Sequence, residues 1–146
     1  MRAAAQPRGS DGVSGATDRS GFTVVNLMDI EDSAGGRFPG VEARFGRRHL
    51  NSEHLGVTYL RYAPNLRSSS AHSHRDQEEA YVVVDGSGRA LLDGEEVELR
   101  RWDVVRCSPQ TVRTFAAGPE GLELIAIGSD RPEGGDGIQT DATWSD

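Results

Sequence analysis

At 146 residues, 36% of them apolar and 27% charged, the chain is sized for one domain around a single core. A formal net charge of −7 argues against a nucleic-acid or anionic-membrane partner, both of which need a cationic face. No apolar run nears the roughly 20 residues that cross a bilayer, and the lone Cys107 excludes an internal disulfide framework.

In chain order, residues 1–20 are mostly Gly, Ser, Ala, Asp and Arg. Such a segment buries too little surface to offset its ordering entropy, so a disordered N-terminal tail is expected. Met1 to Gly9 has no apolar stretch behind its charges and does not read as a secretory signal. With one cysteine and no signal, the expected setting is reducing and cytoplasmic.

Phe22 to Leu27 and Val41 to Phe45 read as strands. Gly56 to Tyr62 is rich in β-branched and aromatic residues and stops at the turn Ala63-Pro64-Asn65. Glu79 to Val84 follows, then a turn at Asp85-Gly86-Ser87-Gly88 and a strand from Arg89 to Leu92. Asp93-Gly94 leads into Val97 to Leu99, a strong hairpin signal because glycine accepts positive φ. Val104 to Cys107, Thr111 to Ala116 and Leu122 to Ile127 complete the series. Strands at intervals of roughly 8 to 12 residues, without a sustained helical period, predict an all-β sandwich or barrel over residues 21–130. Residues 131–146, with Pro132, Gly134, Gly135 and Gly137, read as a flexible C-terminal tail. Trp144 within it either docks on the body or stays exposed.

The chemistry concentrates in Ala71-His72-Ser73-His74. On an extended strand alternate side chains share a face, so both imidazoles point the same way. Glu79 comes five residues later, at the start of a strong strand. Two imidazoles and a carboxylate make a ligand set that suits Fe(II), with Mn, Ni, Zn and Cu as competitors. Taken alone, a His-x-His pair on a polar strand is more often two solvated side chains.

The stretch His72 to Gly86 reads His-x-His, four residues, Glu79, six residues, Gly86. It resembles the first signature of the cupin superfamily, and that spacing singles out Glu79 rather than Glu78. Gly86 is expected to supply the hairpin turn after the strand that presents the carboxylate. The second signature is similar only in rhythm. Trp102 stands in its first glycine position, Ser108 in that of a proline, Gln110 in that of a second glycine and Ala117 in that of an asparagine. Arg113 stands where the third metal-binding histidine belongs. The resemblance covers about residues 40–130 and implies a jelly-roll barrel, a double-stranded β-helix, with homodimers common.

A guanidinium keeps its proton and cannot ligate a metal. Two arrangements stay open. Arg113 pairs with Glu79 and replaces the cation, leaving no metal; or His72, His74 and Glu79 hold a divalent transition metal while Arg113 faces an anionic ligand, with Tyr81 and Phe115 shaping the cavity. The first gives a metal-free pocket that senses or carries a small molecule. The second gives a metal-dependent oxygenase, isomerase or lyase. A third reading is a scaffold for self-association.

Other candidates are weaker. Cys107 sits in an apolar strand and is expected to be a buried thiol. Glu78 and Glu79 are adjacent and face opposite sides, which disfavours an acid/base set with Asp76. Gly86-Ser87-Gly88 joins strands and precedes no helix, so it is not a phosphate loop. Arg47-Arg48-His49 is expected to be a solvated loop.

Overall fold

In the computed structural model of the protein, residues 17–19 and 21–145 are described. β1 (Thr17–Arg19) and β2 (Phe22–Val24) pair as a small antiparallel ribbon. One 3-10 turn follows at Leu27–Asp29, capped by the Asn26 side chain, which accepts from the Met28 amide at 2.9 Å. Part of the expected N-terminal tail is thus a strand; residues 1–16 and 20 lie outside the described residues. No helix here is long and apolar enough to cross a membrane.

The body is one curled sheet of eight strands: β3 (Val41–Phe45), β4 (Gly56–Tyr62), β5 (Ser70–His74), β6 (Glu79–Leu92), β7 (Glu95–Leu99), β8 (Val104–Cys107), β9 (Arg113–Gly128) and β10 (Gly137–Asp141). All pairings are antiparallel. The two long strands β6 and β9 pair along most of their length and form the spine. β4 and β3 extend from β9 on one side. β7 and β8 pair with the two halves of β6. β5 touches β9 at His72 opposite Arg113 and carries β10 on its other edge.

The expected turn at Asp85-Gly86-Ser87-Gly88 is instead an irregularity inside continuous β6. Register shifts fall between Val83 and Asp85 and between Gly86 and Gly88. The strand passes through because its partner β9 bends with it, so the ladder continues beyond the shifts. The inward parity changes there: Tyr81 and Val83 point into the core before the shifts, Ala90 after them. Gly86 therefore does not close a hairpin. Its φ is 72°, and a Cβ on it would overlap the Gly121 carbonyl of β9. The true hairpin is Asp93-Gly94, with φ of 49° and 85°, both in the left-handed region that a primed turn requires. Trp102, in the glycine position of the second signature, keeps a left-handed backbone at φ 75°.

Tyr62, Tyr81, Val83, Leu99, Phe115, Leu122 and Leu124 build the core between the halves of the sheet. Cys107 is among them, a buried free thiol whose pKa burial pushes up.

Residues 131–145 do not behave as a detached tail, and residue 146 lies outside the described residues. β10 hydrogen-bonds along β5, with Gly137 opposite His74 and Asp141 opposite Ser70. Trp144 donates its indole N–H to the Ser68 carbonyl at 2.8 Å, with the Arg89 guanidinium 5.6 Å from its ring centroid. The glycines that suggested a tail serve the loop before β10, where Gly134 and Gly135 take φ of 82° and 84°.

Gly86→Ala should destabilise the protein by about 2–5 kcal/mol, from the left-handed backbone cost plus overpacking. The denaturant midpoint should fall accordingly, and an unchanged midpoint would mean that β6 and β9 are looser here than described.

Candidate metal centre

β5 presents His72 and His74 on one side, their rings edge-on with centroids 5.0 Å apart. The first residue of β6 brings Glu79 to them. Nitrogens of both histidines and a carboxylate oxygen lie within 4.8 Å of one another. His74 Nε2 is 3.3 Å from Glu79 Oε1, and His72 Nε2 is 3.6 Å from Glu79 Oε2. The other histidines are engaged elsewhere, His49 beside Glu31 and His54 beside Asp130.

His74 is held by a residue that the sequence placed in the tail. Asp136 has a fully buried side chain, and its Oδ1 lies 2.8 Å from His74 Nδ1. Its Oδ2 accepts the amides of Asp76 and Gln77 at 2.7 and 2.9 Å. Burial alone would raise the Asp136 pKa, but those amides and His74 outweigh it and hold it at about 2. An ionised Asp136 accepts a hydrogen bond from Nδ1–H, which leaves Nε2 as the free nitrogen of the ring.

That Nε2 is buried and has no hydrogen-bond partner, the one such side-chain atom among the described residues. Glu79 Oε1 is near enough for an ion pair but not aligned as a hydrogen bond. Two acceptors facing each other at this distance call for a cation between them, either a proton on Nε2 or a metal ion. The donor set therefore fits a divalent transition metal.

Glu79 is the junction of the site. Burial pushes its pKa up, yet the adjacent His72 and His74 and the hydrogen bond from Tyr81 prevail and hold it at about 2. The Tyr81 hydroxyl donates to Oε2. Burial and the Glu79 charge push that hydroxyl well above its ordinary pKa, so it remains a donor. Arg113 NH2 donates to the same Oε2 at 3.2 Å. Oε1 is left facing His74.

Arg113 is fully buried. Its Nε donates to the Tyr81 oxygen at 3.2 Å, and its NH1 donates to the carbonyls of Pro109 and Thr111 at 3.1 and 2.6 Å. Four of its five N–H groups are thus committed inside the protein. The pairing with Glu79 is a single contact, not a fork. Arg113, Tyr81 and Phe115, the residues expected around a ligand, line a small inner cavity of about 150 Å³ together with Tyr62 and His72. Phe115 packs on Tyr81 with ring centroids 4.8 Å apart.

On the other side of His72 lies a larger outer basin of about 470 Å³. His72, His74 and Glu79 form part of its wall, with Phe45, Thr58, Gln77, Arg47 and Arg131. Sequence reasoning missed Arg47, Arg131 and Asp136. The pairing of β10 with β5 that brings Asp136 in has no local signature, and Arg47 reads as one member of a basic loop.

A small curled β-barrel with a His/His/Glu cluster at the wall of an open basin defines the class. Residues 58–128 match the cupin domain family. Similar solved structures include a sugar phosphate isomerase of the cupin superfamily from Silicibacter pomeroyi, 16% identical with a TM-score of 0.64, covering 81% of this chain and 92% of that one. A cupin protein from Bacteroides fragilis is 23% identical with a TM-score of 0.58, over 62% and 78%. Salicylate 1,2-dioxygenase from Pseudaminobacter salicylatoxidans is 17% identical with a TM-score of 0.55, over 63% of this chain and 26% of that chain. No curated protein is significantly similar in sequence. The chain carries a cupin superfamily domain, as the first signature implied, and the likenesses below 25% identity speak for the fold alone.

Asp136→Asn should weaken binding of a divalent metal by about 10- to 100-fold, the usual cost of losing a carboxylate that orients a metal-bound imidazole. Competition with a chromophoric chelator measures this. Unchanged affinity would mean that Asp136 serves only the backbone of residues 76 and 77.

Proposed function

We propose that the protein is a mononuclear metal cupin that acts on a small organic molecule in the outer basin. The observation that carries this reading is His74 Nε2, buried without a partner while Asp136 fixes its tautomer. His72, His74 and Glu79 would hold the ion, Glu79 through Oε1. A bound divalent ion would supply a Lewis acid, or for iron an oxygen-binding centre, with positions left open for ligand atoms.

The surrounding side chains then have defined tasks. Asp136 orients the His74 ring through Nδ1 and leaves Nε2 facing Glu79. Tyr81 and Arg113 occupy Glu79 Oε2, which restrains the carboxylate to one free oxygen. The outer basin receives the ligand, with Phe45 and Thr58 against its carbon skeleton. Similar folds include a sugar phosphate isomerase and a dioxygenase, so isomerisation and oxygenation are the reaction classes to assay first.

A second reading has its own observation. The contact of Arg113 with Glu79 at 3.2 Å supports a metal-free pocket in which the guanidinium stands in for the ion and the protein binds a ligand without transforming it.

Metal analysis of protein purified without a histidine tag separates the two. Stoichiometric Fe, Mn, Ni, Zn or Cu, lost in His74→Ala, is the expected result. A site that stays empty after incubation with each of these ions would reject the metal centre and leave the binding module.

A further inference from the structure

We infer that the outer basin selects a small organic anion, a carboxylate or phosphate, gripped between Arg47 and Arg131. The inference deepens the metal-centre reading and rests on it for the ligand's other end, a hydroxyl or carbonyl oxygen directed at the ion.

Arg47 is seated rather than solvated. It follows β3, and its NH2 donates to the Ser129 carbonyl at 2.6 Å across the sheet. Its guanidinium lies over Gly56 of β4, which pairs with Gly128 of β9. A Cβ at Gly56 would come within 2.8 Å of Arg47 NH2 and 3.0 Å of Nε. The paired glycines thus leave a bare patch of sheet on which the planar group rests.

Arg131 reaches the same basin from the loop that leads to β10. Among the described residues neither arginine has a carboxylate within 4 Å. The nearest acids have other partners: Asp130 pairs with His54, Asp136 with His74, and Glu79 with the histidines, Tyr81 and Arg113. The two cations repel each other, and burial together with the Arg131 charge pulls the Arg47 pKa down, against the smaller pull of Asp130 and Glu79. A chain with net charge −7 nonetheless concentrates two unneutralised guanidiniums on the wall that carries the metal-type cluster. An anion between them relieves the repulsion and gains charge-assisted hydrogen bonds. A divalent ion at the cluster would add to the attraction.

The test titrates full-length protein, both metal-stripped and Mn(II)-loaded, with inorganic phosphate, lactate and lactamide, followed by calorimetry and by Mn(II)-bound water relaxation. Lactamide matches lactate in shape without the charge. Arg131 is exposed, so Arg131→Glu should leave folding intact while weakening phosphate and lactate by at least about tenfold, the loss of one charge-assisted contact. Arg131→Lys should retain most of the affinity. Gly56→Ala, which displaces Arg47, should act like Arg131→Glu. The inference is overturned if neither anion binds saturably, if lactamide binds as well as lactate, or if Arg131→Glu binds both anions unchanged. Metal content is measured in the same samples. Charge-selective binding without metal uptake would reject the metal centre and keep the anion grip, whereas metal uptake with charge-blind binding would do the reverse.

Discussion

The half-buried carboxylate of Glu79 is the constraint around which the site is organised. An ionised group taken out of water must be compensated on every side or it neutralises. Here His72 and His74 face it from β5, Tyr81 from two residues further along β6, and Arg113 from the start of β9. The neighbouring strands β5 and β6 and the more distant β9 are thereby obliged to meet at one point. The register of β5 against β9, a single pairing of His72 with Arg113, follows from the same requirement.

Arg113 gives this cupin its individual character. A histidine at its position would leave the Pro109 and Thr111 carbonyls and the Tyr81 oxygen without the donors they now have. The arginine is therefore a structural cation under the site, charged under all ordinary conditions. It occupies one oxygen of Glu79 and lines the smaller cavity beside His72 and Tyr81. The larger basin shares His72 with that cavity and has its own pair of guanidiniums.

Much of this was legible from local pattern. The alternation in His72-Ser73-His74, the strand beginning at Glu79 and the Asp93-Gly94 hairpin are signals carried within a few residues, and each forms as read. What escaped depends on contacts distant in sequence. The bend at Gly86 looks like a turn because glycine serves turns and bulges equally, and only the course of β9 decides between them. Asp136 and Trp144 lie in a stretch whose glycines suggest mobility. Their positions are set by an edge of β5 left open for β10, which no composition reveals. Arg47 reads as one of two adjacent arginines until Gly56 and Gly128 show where it rests.

The pairing of β10 with β5 also has a temporal side. His74 and Asp136 are 62 residues apart, so during synthesis the histidines and Glu79 leave the ribosome well before their buried partner. Asp136 reaches His74 only once β10 has added to the edge of β5. Completion of the His74 environment is thus coupled to the docking of β10 on the edge of β5.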